Sequence, residues 1–207
     1  MDTVRPFAVV TPTLDGDTLA RLALADASFT AGELRQLIPH ASVDGIRKAL
    51  NRLTEQGIVE ARRAGPSITY RMNRDHVSAG AIVELARWRE RTVERFARAV
   101  DGWSPPPVYA ALFGSWVRGA ANPRSDLDVF LVRPADADPD RWDELVSELE
   151  REGTRWTGND TRALVLDEDR VRAEPDDPVL RSVVDEGVQF AGSPSWLRRN
   201  VRAGRRS

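Results

Sequence analysis

The chain has 207 residues, of which 41% are hydrophobic and 30% charged, and its formal net charge is −2. This composition indicates a soluble folded protein of one large or two small domains. The absence of cysteine excludes a disulfide framework, a thiolate metal site and a thiol nucleophile. No apolar run approaches the roughly 20 residues that cross a bilayer, and the first residues lack the pattern of an export signal. We therefore expect a cytoplasmic protein without membrane association.

The charges are unevenly distributed along the chain. Residues 28–75 contain eight Lys and Arg against five Asp and Glu, a surplus of three positive charges. Residues 108–170 contain eight against fourteen, a deficit of six. The last twelve residues contain five arginines and no acid. This asymmetry predicts two modules with different tasks.

Residues 15–75 are predicted to form three short helices followed by a β-hairpin. Thr30 and Glu33 have the Thr-x-x-Glu spacing of a capping box, which begins the second helix. Ser42 is the expected cap of the third helix, and Gly57 is its expected end. Two β-prone runs, IVEARR and SITYRM, then flank AGP, a signal for a tight turn.

This order of elements resembles the winged helix-turn-helix domains of bacterial transcription regulators, and LTEQGIVEARRAGPSITYRM is its most typical stretch. The resemblance implies that the third helix enters the major groove of duplex DNA and that the hairpin tip lies near the backbone or the minor groove. The side chains expected to face DNA are Ser42, Arg47, Lys48, Asn51, Arg62 and Arg63.

A second interpretation uses the same fold only for protein contacts or dimerisation, because Asp44 and Glu55 interrupt the basic surface. One copy offers only a handful of positive charges to DNA phosphates. A homodimer would double that number and strengthen the part of binding that depends on phosphate contacts.

Residues 76–100 are predicted to form one long amphipathic helix that connects the two modules. Ile82, Leu85 and Phe96 recur on one side of it at helical spacing. The Pro-rich stretch DGWSPPP at residues 101–107 ends the helix, and we expect the domain boundary near it.

The stretch FGSWVRGAANPRSDLDVFLV, residues 113–132, contains groups that a core strand does not need. Gly114 allows close approach of the backbone, and Ser115 begins a following helix, whose start is suited to anions. Strand alternation places Asp126 and Asp128 on one face at the head of the next strand. Two carboxylates so close repel each other unless a cation lies between them, and Mg²⁺ binds one or two carboxylates together with phosphate oxygens and waters. The stretch therefore predicts phosphate and metal binding, whereas a solvated strand end would leave the Gly-Ser spacing unexplained.

The motif GSWVRGAANPRSDLD resembles the signature of the nucleotidyltransferase superfamily, which includes DNA polymerase β, antibiotic nucleotidyltransferases and the minimal nucleotidyltransferases. The resemblance covers about residues 107–192. It implies that the nucleotide is bound by Gly114, Ser115, Arg118 and Ser125. It implies that Mg²⁺ or Mn²⁺ is bound by the catalytic pair Asp126 and Asp128.

Active members of this superfamily usually carry a third acid at the head of a later strand, as general base and metal ligand. Alignment of NDTRALVL by its apolar run puts Arg162 at this position, and Asp160 lies two residues earlier on the same strand face. Asp160 is therefore the candidate base, whereas Asp167 and the two acids after it are expected in a turn. Arg162 could instead contact phosphate, or indicate a domain that binds nucleotide without transferring it.

Together these features predict an α+β protein with a winged helix at residues 1–75 and a connecting helix and linker at 76–106. A small mixed-sheet nucleotidyltransferase domain follows at 107–192, and a basic tail at 193–207. The resemblance implies Mg²⁺-dependent transfer of a nucleoside monophosphate from an NTP, with ATP as the expected donor, to a protein or nucleic-acid acceptor. Duplex DNA and a small protein are the expected partners. One alternative is a DNA-binding regulator whose second domain senses nucleotide or is catalytically inactive. Another is an interaction module in which both domains serve only assembly.

Overall fold

A computed structural model describes the protein over residues 5–122 and 124–201. The chain divides into two compact units, one ending at Arg89 and the other beginning at Glu90. Within the described ranges, no helix has both the length and the apolar character needed to cross a membrane.

The first unit contains three helices and a hairpin in the predicted order. Its elements are a short 3₁₀ helix Pro6–Val9, α1 Leu14–Leu24, α2 Ala31–Leu37, α3 Val43–Glu55, β1 Val59–Ala64, β2 Ser67–Met72 and α4 Ala79–Ala86. The predicted capping box is present, because Thr30 Oγ1 accepts from the Glu33 amide and the Glu33 carboxylate accepts from the Thr30 amide. Ser42 Oγ accepts from the Gly45 amide and begins α3, as predicted.

The core of the first unit lies between its helices and one face of the hairpin. Leu22, Leu34, Ile46 and Leu50 are fully buried there, so each of the three helices contributes an apolar face. Tyr70 of β2 is buried in the same core, and its backbone pairs with Phe29 just before α2. The hairpin is therefore attached to the helices and does not project as a separate arm.

The hairpin turn consists of Gly65 and Pro66, because Ala64 pairs with Ser67. Gly65 has a φ of +61°, and the ring of Pro66 fixes its φ near −65°. A positive φ followed by a negative one is the combination of a type II′ turn, whose twist matches that of the flanking strands.

One ion pair links the first and third helices. Arg52 of α3 donates two hydrogen bonds to the carboxylate of Asp15 in α1, at 3.0 and 2.8 Å. The hydrogen bonding from Arg52 holds the pKa of Asp15 below its usual value. The paired groups therefore join two elements that are distant in sequence.

The connecting segment differs from the single helix that its apolar stripe predicts. It forms two helices, α4 and α5 Trp88–Val100, separated at Arg87. Ala79 and Ala86 of α4 pack into the first core, whereas Phe96 of α5 contacts rings of the second unit. The stripe serves two separate cores, and the unit boundary lies within the segment, well before the Pro-rich stretch.

The second unit is built on a mixed four-stranded sheet. After α5 its elements are β3 Tyr109–Phe113, α6 Gly114–Val117, β4 Leu127–Arg133, α7 Pro139–Thr157, β5 Thr161–Asp167, α8 Glu168–Ala173, α9 Pro178–Glu186, β6 Val188–Gly192 and α10 Pro194–Asn200. The strand order is β5-β4-β3-β6. β4 and β5 are parallel, and the other two pairs are antiparallel. The predicted α+β class with a small mixed sheet is confirmed.

Helices cover both faces of this sheet. Phe130 and Val132 of β4 pack on one face against Leu180 and Val183 of α9. Phe96 of α5 packs with its ring against Trp156 of α7 and Phe190 of β6. The two buried faces fix β3 and β4 as central strands, while β5 forms one edge of the sheet.

The predicted basic tail needs correction, because it begins with a structural helix. Leu197 of α10 and Val201 just after it are 1% and 5% exposed, and both pack into the core on the α9 face. The many arginines of this stretch led to the prediction of a tail, although Leu197 and Val201 are buried. The remaining residues of the predicted tail, 202–207, lie outside the described residues.

Candidate active site

The Gly-Ser motif lies where β3 passes into α6. Gly114 has a φ of +73°, which favours glycine. A Cβ at this position would lie 2.2 Å from Oδ2 and 3.1 Å from Cγ of Asp128, so no side chain fits. The close approach that the sequence predicts at Gly114 is present, and the group that approaches is the Asp128 carboxylate. Ser115 follows in the first turn of α6 and is partly buried.

The two aspartates lie at the head of β4. Asp128 pairs with Phe113 across the antiparallel ladder, which places its carboxylate beside the Gly-Ser motif. Burial raises the pKa of Asp128, and the negative charge of Asp126 raises it further. The two carboxylates are therefore close enough for the charge of one to act on the other.

Arg118 and Ser125, the other predicted nucleotide ligands, are both engaged in contacts within the protein. The Arg118 guanidinium donates to the carboxylate of Glu186 at the end of α9, at 2.9 Å. Its positive charge also partly offsets the rise in the pKa of Asp128, so Arg118 lies near the site. Ser125 Oγ accepts from the backbone amide of Asn122 at 3.0 Å, and its hydroxyl thus shapes the loop before β4.

Asn159 is a site residue that the sequence analysis missed. Its side chain is buried, and its amide donates to the carbonyl oxygens of Asn122 and Ser125, at 3.0 and 2.6 Å. These bonds fix the loop that leads into Asp126. An Asn between a helix and a strand reads as an ordinary turn residue, so no pattern in the sequence indicated this role.

Asp160 and Arg162 lie at the head of β5, beside the carboxylate pair. Arg162 pairs with Asp128 across the parallel ladder. Its guanidinium contacts the Asp160 carboxylate at 3.0 Å and the Asp126 carboxylate at 3.3 Å. The structure therefore brings together all three predicted catalytic aspartates, with an arginine between two of them.

The other acids near β5 are far from this cluster. Asp167 ends the strand, and its carboxylate accepts from Arg133 at 2.7 Å. Glu168 and Asp169 form the first turn of α8, and not the loose turn that the sequence suggested. At about 3.3 Å per residue, β5 separates Asp167 from Asp160 by roughly 20 Å, so these acids are excluded as alternative bases.

The donor set of the cluster fits a hard divalent cation. Asp126 and Asp128 supply carboxylate oxygens on one face of β4, and their mutual repulsion favours a cation. Magnesium needs no more than one or two carboxylates when phosphate and water oxygens complete its shell. Among the described residues, no group of three or more His, Asp or Glu is arranged to hold a metal.

The residues predicted to face DNA lie on α3 and the hairpin, in the first unit. Arg47, Lys48 and Asn51 are exposed on the side of α3 opposite its buried residues, but Lys48 pairs with Asp44 at 2.9 Å. Arg47 and Asn51 line a groove of about 550 Å³ that the hairpin closes with Pro66, Ser67 and Ile68.

The other three residues predicted to face DNA differ in whether their side chains are free to reach it. Ser42 uses its hydroxyl as the cap of α3. Arg62 and Arg63 are exposed on β1 near the turn. Because neighbouring residues of a strand point to opposite faces, the two arginines lie on different sides of the hairpin.

The family model of the nucleotidyltransferase domain matches residues 93–169. This range contains the Gly-Ser motif, the aspartate pair, Asp160 and Arg162. Comparison with curated proteins gave no match.

Three solved structures overlap part of the chain. A toxin–antitoxin with AMP-PNP shares 21% identity over 53% of this chain and 78% of that chain, with a TM-score of 0.37. A tri-AMPylated Shewanella oneidensis HEPN toxin in complex with MNT antitoxin shares 17% over 52% and 75%, with a TM-score of 0.34. The toxin–antitoxin MntA-HepT shares 17% over 51% and 74%, with a TM-score of 0.33. With TM-scores this low, the overlaps carry no argument about function.

Proposed function

We propose that the protein is a Mg²⁺- or Mn²⁺-dependent nucleotidyltransferase that moves a nucleoside monophosphate from an NTP to an acceptor hydroxyl. The observation that carries the proposal is the packing of the Asp128 carboxylate against Gly114, inside the stretch that matches the nucleotidyltransferase family model. This packing supports a site in which a phosphate loop and a metal-binding carboxylate act together.

Each residue has a separate part in the proposed site. The backbone at Gly114 and the hydroxyl of Ser115 would hold phosphate oxygens of the NTP. Asp126 and Asp128 would hold the divalent ion. Arg118, which lies near Asp128, would contribute positive charge toward the triphosphate. A bound ion would neutralise charge on the phosphates and on the oxygens that attack and leave.

The reaction would exchange one phosphorus–oxygen bond for another. The acceptor oxygen forms a bond to the α-phosphorus, the bond from that phosphorus to the bridging oxygen breaks, and pyrophosphate leaves with the electron pair. The acceptor proton passes to a base, for which Asp160 is the candidate on β5. One of its carboxylate oxygens already accepts from Arg162 at 3.1 Å, so Asp160 is held in place beside Asp126.

The decisive experiment is transfer of α-phosphate label from each of the four NTPs, with Mg²⁺ or Mn²⁺, to the protein itself and to cell extract. We expect transfer by the wild type, strongest with ATP, and none by a variant carrying Asp126→Asn and Asp128→Asn. Circular dichroism should show that this variant is folded, because both side chains are partly exposed. Equal labelling by the two proteins would rule out the assignment.

A second candidate function follows from one observation, the contact of Arg162 with both Asp126 and Asp160. A guanidinium in this place would leave a domain that binds nucleotide without transferring it. In that case the wild type would bind Mg²⁺-ATP in calorimetry and would label no acceptor.

Either function includes DNA binding by the first unit as a winged helix. Arg47 and Asn51 in the α3–hairpin groove, together with Arg62 and Arg63 exposed near the hairpin turn, support this part of the proposal. A homodimer, a small protein partner or acceptor, and a cytoplasmic location remain expectations from the sequence.

A further inference from the structure

The guanidinium of Arg162 bridges two acidic side chains. Its Nη1 lies 3.3 Å from Oδ2 of Asp126, and its Nη2 lies 3.0 Å from Oδ2 of Asp160. Asp126 belongs to the head of β4 and Asp160 to the head of β5, so the guanidinium links two neighbouring strands. The cluster of three aspartates and one arginine has a formal charge of −2, which leaves it attractive to a divalent cation.

These ion pairs are exposed enough to exchange. The side chains of Arg162, Asp126 and Asp160 have 65%, 39% and 62% of their surface accessible. Exposed ion pairs are weak because water and salt screen them, and the long arginine side chain has many accessible rotamers. Arg162 can therefore leave Asp126 without any change in the core of the sheet.

We infer that Arg162 is an internal counter-ion that competes with the divalent cation for Asp126. The inference rests on the proposed function, since it takes Asp126 and Asp128 as the metal-binding pair. Without nucleotide, the guanidinium holds the Asp126 carboxylate. When the divalent ion arrives, Arg162 gives up Asp126 and keeps its place beside Asp160, where its charge faces the incoming phosphates.

If Arg162 competes in this way, its removal should change the affinities for metal and for nucleotide in opposite directions. Removal of the Arg162 charge should strengthen binding of the metal alone, because Asp126 then has no competing cation. The same change should weaken binding of the nucleotide alone, because one positive charge near the triphosphate is lost. A side chain that only stabilises the fold would not move the two affinities in opposite directions.

The test is a Mn²⁺ titration followed by the electron paramagnetic resonance signal of free Mn²⁺, with wild type and Arg162→Gln. We expect the glutamine variant to bind Mn²⁺ about two- to fivefold more tightly, the range that exposed charge pairs allow. Binding of a non-hydrolysable ATP analogue without metal should weaken by a similar factor. Arg162→Lys retains the charge and should stay close to the wild type in both titrations.

The matched control is Arg133→Gln, at the opposite end of the same two strands. Arg133 pairs with Asp167 at 2.7 Å, as Arg162 pairs with Asp160, but it lies far from the candidate site. Its removal should leave Mn²⁺ affinity unchanged. Asp126→Asn in the Arg162→Gln background should abolish the gain in affinity.

Several results would overturn the inference. Equal or weaker Mn²⁺ binding by Arg162→Gln, with label transfer by the wild type intact, would reject the competition and leave the proposed function standing. An equal gain in Arg133→Gln would show a general effect of net charge and would also reject it. No Mn²⁺ binding by either protein would overturn both the inference and the metal assignment.

Discussion

The Asp128 carboxylate lies against the backbone of Gly114 so closely that an added methyl group would be 2.2 Å from its oxygen. The candidate phosphate loop at the start of α6 and the candidate metal ligand on β4 are thus in direct contact. The geometry explains why the Gly-Ser motif and the Asp-x-Asp motif occur together in this chain.

Gly114→Ala should damage both the fold and the site. The left-handed φ costs a non-glycine residue about 1–2 kcal/mol, and the clash with Asp128 adds about 1–3 kcal/mol, as overpacking does elsewhere. We expect Mn²⁺ binding to be lost with the displaced carboxylate. Denaturant unfolding and the Mn²⁺ titration measure the two effects.

Gly119→Ala is the control that introduces backbone strain like that of Gly114→Ala but no clash with a side chain. Gly119 has a similar φ of +70°, but an added Cβ meets no atom within 4 Å. This variant should lose only the strain energy and should keep its Mn²⁺ affinity. If both variants lose equal stability and neither loses metal binding, the Asp128 contact has no functional meaning.

Asp160→Asn tests the candidate base. A general base contributes roughly a hundredfold to ten-thousandfold, so label transfer should fall by that factor while the affinity for NTP changes little. Asp167→Asn is the control, because Asp167 pairs with Arg133 at the other end of β5. Its transfer rate should equal that of the wild type. An Asp160→Asn variant with wild-type activity would exclude Asp160 as the base.

Arg47 and Lys48 should contribute unequally to DNA binding, because Asp44 already partly neutralises Lys48 at 2.9 Å. Arg47→Ala should weaken duplex binding and reduce the slope of log affinity against log salt by about 1. Lys48→Ala should have a smaller effect, and Asp44→Asn should strengthen binding. Fluorescence anisotropy at several salt concentrations measures these changes. Absence of binding to any duplex at low salt would favour the protein-contact interpretation.

The Asp15–Arg52 pair should make part of the stability depend on acid. The hydrogen bonds from Arg52 lower the pKa of Asp15 in the folded state below its ordinary value. This stabilisation is therefore present above about pH 4 and is lost as the pH falls through the lower, folded pKa. Unfolding of wild type and Arg52→Gln should differ more at pH 7 than at pH 3. A constant difference between the two proteins would contradict this account.

The sequence predicted best those features that depend on short-range chemistry. The caps at Thr30 and Ser42 involve side chains and amides three residues apart, so their spacing alone identifies them. Strand alternation likewise predicted that Asp126 and Asp128 share one face, and the charge of Asp126 does act on Asp128. These signals are local, and tertiary packing does not override them.

The features that the sequence did not reveal depend on contacts between distant elements. The break at Arg87 arises because one apolar stripe packs into two cores. Asn159 holds a loop that precedes it by more than thirty residues. Alignment of the apolar run placed Arg162 at the position of the third acid. Its contact with Asp126, however, depends on the parallel pairing of β4 and β5. Hydrophobic periodicity contains no information about such pairings.

The edge position of β5 has an evolutionary consequence. Asp128 lies on the central strand β4 between the buried residues Leu127 and Val129, and Asp126 directly precedes that strand, so backbone changes there disturb the core. Arg162 lies on the edge strand with most of its side chain accessible. A single codon change at this position can therefore alter the chemistry of the site with little effect on folding. For the proposed site, a substitution at position 162 would therefore separate the two candidate functions, transfer and nucleotide sensing, without the loss of stability expected of changes at Gly114.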